Sequence, residues 1–131
     1  MSGVSAGAIA MGIENIRLAY HYCDVGDLEG YASLLEADVE VDADGLLRGR
    51  GRDQVVDRVA ALEAGAVQHH PNYVIPCDNR VIVLGSVSTK DSPATHDIVD
   101  VFTLSGHALI VRQRRYVLTH NSGIDREELE R

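Results

Sequence analysis

Apolar residues recur at spacings of three and four through Ile9, Ile13, Ile16, Tyr20 and Cys23. This is one stripe of an amphipathic helix, predicted over residues 5–23. Ser5 is placed to cap its start and Gly26 to stop it. Asp27 then opens a second, short helix over LEGYASLL. In ADVEVDADG, Val39, Val41 and Ala43 alternate with acids, the pattern of a strand that ends in a turn. GRGRDQVVDRVAALEAG predicts a third helix, with Val55, Val56, Val59 and Leu62 inward and Gly65 as its stop.

Beyond this point the period falls to two. Four strands are predicted, over 69–77, 80–89, 95–105 and 108–119. CDNR and LSGH read as hairpin turns, and KDSPAT as a longer loop. Helices followed by a run of antiparallel strands give an α+β domain, residues 1–120. Three N-terminal helices on one face of a curved sheet leave a cone-shaped cavity between the layers. The charged tail NSGIDREELER, within 121–131, reads as a frayed helix or as disorder.

Composition narrows the function classes. The chain has 131 residues, 45% of them hydrophobic, enough for one domain with a real core. A formal net charge of −8 repels phosphate backbones, so neither nucleic acid nor an anionic membrane surface is an expected partner. No apolar run is long enough to span a bilayer, and MSGVSAGAIAMGIEN lacks the basic start of a secretory signal. Cys23 and Cys77 read as reduced thiols of a cytoplasmic protein. RGRGRD lacks the Lys-Ser/Thr ending of a phosphate loop and reads as the loop before the third helix. The histidines and acids show no spacing for converging metal ligands, so neither metal nor cofactor is expected.

The strand THDIVDVF poses the functional question. His96, Ile98, Asp100 and Phe102 share one face, and Val99 and Val101 the other. A carboxylate is thus placed beside β-formers on a face that has to be dry. Asp100 is either a pocket acid or base or a structural acid paired with an arginine of the next strand. Burial would suit it to the first role by favouring its protonated form. His96 lies on the same face, in the pocket or on its rim. Of His69 and His70 alternation admits only one; counting back from the CDN turn favours His70, with Asn72 and Val74 on its side. Pro71 leaves that register open.

Four segments, in this order and spacing, carry a family resemblance: DVGDLEGYASLLEADVEVDADG, GRGRDQVVDRVAAL, HHPNYVI and DVFTLSGHALIVRQRRYVL. Over residues 9–119 the chain resembles the SnoaL-like branch of the nuclear transport factor 2-like superfamily. The resemblance implies a cystatin-like cone, a mostly antiparallel, strongly curved sheet wrapped around a long helix and enclosing an apolar pocket. It implies a homodimer through the outer sheet face. It also implies a hydrophobic small-molecule substrate, most simply a polyketide-type intermediate. Cyclisation, dehydration or isomerisation next to a carbonyl are the reactions it offers. A pericyclase guided by pocket shape and a non-catalytic binding or dimerisation module are the alternatives.

By this resemblance Asp100, His70, His96 and Tyr20 are the candidate catalytic residues. Arg115, Gln113, Asn72, Phe102, Ile98 and Ile16 are expected to contact substrate. Arg115 would pair with Asp100 or bind an enolate or carboxylate; the opposite parity would turn Arg112 and Arg114 inward instead. Tyr20 is either an oxyanion donor or a core aromatic. The position of the ketosteroid isomerases' general base reads Ala43, and alignment on GD puts their tyrosine at Ala19, two departures that argue against that reaction.

Overall fold

The computed structural model describes residues 4–43 and 47–118. Three helices, α1 (Ala6–Val25), α2 (Leu28–Ala32) and α3 (Arg52–Ala60), pack on a six-stranded sheet. The strands are β1 (Leu35–Ala43), β2 (Leu47–Arg50), β3 (Val67–Cys77), β4 (Arg80–Thr89), β5 (Ser92–Leu104) and β6 (Ile110–Leu118). Their order is β2-β1-β6-β5-β4-β3, and the sheet curves without closing. All pairs are antiparallel except β1 with β6. Among the described residues no helix is long and apolar enough to cross a membrane. The expected tail over 121–131 lies outside the described residues.

Helix α1 begins and ends on its expected caps. The Ser5 side chain accepts from the Ala8 N–H, and Gly26 takes the left-handed conformation at φ 78°. The helix buries Gly12, Ile16, Ala19 and Tyr20. These meet the sheet's inner face, where Val81, Val83, Phe102, Leu104 and Ile110 are buried. Inward parity on β5 and β6 is as expected: Ile98, Asp100 and Phe102 are buried, as are Gln113 and Arg115, while Arg112 and Arg114 are exposed.

Three local expectations are corrected. The stretch read as the loop before α3 is the short strand β2, paired Val41 to Gly49. The two arginines flanking Gly49 point outward, and Gly51 at φ 86° separates strand from helix. The predicted KDSPAT loop is a two-residue turn at Lys90 and Asp91, with β5 already begun at Ser92. The second helix stops at Ala32, because Leu34 and Leu35 are drawn into the core, where the Leu34 carbonyl accepts from the Ile110 N–H at 2.9 Å.

Strand β3 carries a bulge. Its pairing with β4 shifts between Pro71 and Tyr73, so Asn72 has no partner across the ladder. Gly85, opposite Pro71, lets the bulge approach: a Cβ there would collide with the His70 carbonyl oxygen and stand 2.9 Å from Pro71 Cα. Both neighbours are backbone. Gly85→Ala is therefore expected to destabilise the domain by about 1–3 kcal/mol through overpacking. Chemical denaturation would read it, and a loss below about 0.5 kcal/mol would show that the bulge is not locked by this contact.

Candidate active site

Asp100 sits at the centre of the concave face and is fully buried. Register places it opposite Arg115 on β6, an antiparallel cross-strand pair. The guanidinium grips it with two parallel bonds, Nε to Oδ1 and Nη2 to Oδ2, each 2.8 Å. Gln113, two residues earlier on the same face, donates to Oδ2 at 3.3 Å. From α1 the Tyr20 hydroxyl donates to Oδ2 at 2.6 Å. All four contacts are donated to the carboxylate, which accepts only, as an ionised acid does.

This network fixes the neighbours' protonation. Burial, then the Asp100 charge and its hydrogen bond, push the Tyr20 phenol well above its ordinary value. Burial alone would lower Arg115, but its hydrogen bonds to Asp100 and the carboxylate's charge outweigh that and raise it. Tyr20 has one hydrogen to donate and gives it to Asp100. Its oxygen therefore turns a lone pair, not a donor, toward anything else.

The second polar group was not read from the sequence. Asp24, in the last turn of α1, holds the start of β3. Its Oδ2 accepts from the His69 backbone N–H at 2.8 Å, and its Oδ1 meets His69 Nδ1 at 2.5 Å. The His69 side chain is only 5% exposed and that of Asp24 15%. A carboxylate only accepts, so Nδ1 carries the hydrogen of this contact, and in the neutral ring Nε2 is then the acceptor nitrogen. The His69 ring lies 4.9 Å from that of Tyr20, and Phe102 meets Tyr20 edge-on at 5.7 Å.

His69, not His70, thus takes the inward place. The bulge at Asn72 absorbs one residue and reverses side-chain parity upstream of it. His70 is exposed, with Nε2 3.0 Å from the Ser88 hydroxyl, and Asn72 is exposed too. His96 is also exposed, on the inner face of β5 but at its solvated start. These placements correct the expectation that His70, His96 and Asn72 enter the pocket. Tyr20, Asp100, Gln113, Arg115 and Phe102 are brought together, and Ile16 and Ile98 are buried in the same concave layer. The missed signal was in α1. Tyr20 and Asp24 are four apart on one face, and an acid in a final turn opposes the helix dipole.

A cavity of about 30 Å³ lies between these groups, bordered by Tyr20, Cys23, Tyr31, Leu62, His69 and Arg115. Such a volume, as the cavity stands, holds about one water molecule. Burial first, then the charge of Asp24, raises the Cys23 thiol to about 11, so it stays protonated. Burial likewise raises the Tyr31 phenol.

No protein-family model matches the chain, and no curated protein sequence matches it. Solved structures do resemble it. A candidate ketosteroid isomerase from Kribbella flavida superposes with a TM-score of 0.75 at 14% identity, covering 92% of this chain and 87% of that one. TerC, co-crystallised with polyporic acid, gives 0.67 at 24% identity, covering 82% and 92%. An NTF2-like protein of unknown function from Burkholderia pseudomallei gives 0.68 at 21% identity, covering 82% and 91%. Likeness at these identities establishes the fold, and the chain has the nuclear transport factor 2-like fold that its sequence resembles.

Proposed function

We propose that this nuclear transport factor 2-like chain is a cofactor-independent acid/base enzyme of the SnoaL-like kind. Its substrate would be a hydrophobic small molecule, a polyketide-type intermediate, transformed by cyclisation, dehydration or isomerisation next to a carbonyl. The observation that carries the reading is the Asp24–His69 pair, buried beside the inner cavity with Nε2 of the ring unbonded by Asp24. In this reading His69 removes a proton from the carbon next to the carbonyl and returns it elsewhere. Asp24 holds the ring in the tautomer that leaves Nε2 basic, the role of an orienting carboxylate. Arg115 and Gln113 retain N–H groups beyond those given to Asp100 and stabilise the enolate oxygen. Asp100 and Tyr20 keep Arg115 in place. The likeness to a candidate ketosteroid isomerase supports this class of chemistry without naming the reaction, and the likeness to TerC, co-crystallised with polyporic acid, supports a small-molecule ligand.

A second reading is favoured by two observations. The oxygens of Asp100 are fully engaged by Arg115, Tyr20 and Gln113, and the inner cavity is close to filled. Both fit a small-molecule-binding or dimerisation module, and exposed Tyr116 and Leu118 on the outer face of β6 fit a homodimer in either reading.

Exchange in deuterium oxide separates the two. The enzyme reading expects protein-dependent incorporation of deuterium next to the carbonyl of at least one bicyclic or tricyclic ketone, followed by mass spectrometry. Ketones that bind but neither exchange nor turn over would leave the binding module as the function.

A further inference from the structure

A groove of about 890 Å³ runs over β1, β2 and β6 to the end of α3. Five arginines line it, at positions 48, 50, 58, 112 and 114, against two carboxylates, Glu40 and Asp42. Five against two is a local surplus of three positive charges, in a chain whose formal net charge is −8. The sequence singled out this stretch only as a failed phosphate loop.

The pairing inside the groove is uneven. Glu40 is shared between Arg50, at 2.6 Å, and Arg112, at 2.9 Å. The Arg112 hydrogen bond and then the Arg50 charge hold its carboxyl below the usual range. Asp42 takes Arg48 at 3.5 Å. Arg58 and Arg114 have no carboxylate partner among the described residues. Arg114 instead lies over the Tyr116 ring, 5.5 Å from its centre. Ion pairs this exposed add little to stability, so stability does not explain the concentration of arginine here. Planar guanidinium groups without a carboxylate partner among the described residues, set on a concave surface, are suited to a carboxylate or phosphate. Leu47, Leu62 and Gln113 border both this groove and the inner cavity.

We propose that the groove is an anion-recognition subsite. It takes the carboxylate or phosphate of a small molecule whose apolar body extends past Leu47 and Leu62 toward His69. The direction of the apolar body rests on the reading of the inner cavity as the reaction site; the anion subsite itself does not.

Titration calorimetry with 2-naphthoate, 2-naphthyl phosphate and the neutral 2-naphthamide tests it. At least one of the anions is expected to bind about tenfold or more tightly than the amide, and to weaken as salt is raised. Which anion binds more tightly identifies the group recognised. The double variant Arg58→Gln/Arg114→Gln, checked for an unchanged melting temperature, is expected to remove that preference. If it lowers the melting temperature, charge-matched Arg58→Lys/Arg114→Lys is used, and retention of the preference there supports the assignment. Equal binding of anions and amide by the wild type, or an anion preference that survives in a folded Arg58→Gln/Arg114→Gln variant, overturns it. The same titration on His69→Gln separates this proposal from the enzyme reading. Anion binding kept there, with no proton exchange by the wild type, would sink the enzyme alone.

Discussion

Arg115→Leu is expected to cost about 3–5 kcal/mol of stability, because it strands a carboxylate at a fully buried position. Asp100 would keep the Tyr20 hydroxyl and the Gln113 amide, but lose both charged bonds. Two neutral donors do not replace a guanidinium at a fully buried carboxylate. Asp100→Leu is expected to be similarly damaging, since it leaves the Arg115 charge buried without its partner. Combining Asp100→Leu with Arg115→Leu removes both charges together, and buried ion pairs replaced in this way are often neutral or stabilising. Here recovery should be incomplete, because Tyr20 and Gln113 then lose their acceptor, at about 1–3 kcal/mol for each buried group left unpaired. The double variant should still be more stable than either single one. A double-mutant cycle in urea measures this coupling. Single losses under about 1 kcal/mol, or strict additivity, would show that the pair is not what fixes β5 to β6 at this level.

That ion pair was within reach of the sequence. Asp100 stood out as an acid among β-formers, and Arg115 followed once the parity of the last strand was chosen. Period and alternation decide which face a residue takes, and along β5 and β6 nothing disturbs the alternation around the site. On β3 the same rule misleads. From Val74 backwards it assigns Asn72 and His70 to the inner face, and one unpaired residue at Asn72 hands that face to His69. Pro71 was the visible warning, and Gly85, on another strand, is the residue that permits the bulge; only the pairing of the two strands connects them. β2 was hidden for a related reason. Its four residues carry no apolar alternation, because a glycine supplies the inward position beneath α3, where a Cβ added to Gly49 would lie 3.2 Å from Val55 Cγ2. Asp24 was legible only as a local conflict, an acid where the helix dipole favours a base. Such conflicts persist when a tertiary partner resolves them, and His69 is that partner.

His69→Gln is expected to lower kcat by about 10²–10⁴-fold, the usual contribution of a positioned general base. Glutamine can keep a hydrogen bond to Asp24, so the variant should fold, but its amide cannot accept a proton at neutral pH. Asp24→Asn is the more discriminating change. Its carbonyl can still accept from the His69 backbone N–H, which preserves the start of β3. Its amide, however, is a donor, and a donor facing Nδ1 favours the ring tautomer with hydrogen on Nε2. Nε2 would then already carry the proton it is meant to take. A fall in kcat comparable to that of His69→Gln, with KM changed by less than about threefold, is the expected result, because the carboxylate acts through the ring and not on the substrate. A double variant no slower than the worse single one would show that the two residues work as one unit. If both variants fold and either keeps kcat within about threefold of wild type, the pair is a structural clasp between α1 and β3. Proton transfer would then have to come from a group other than His69.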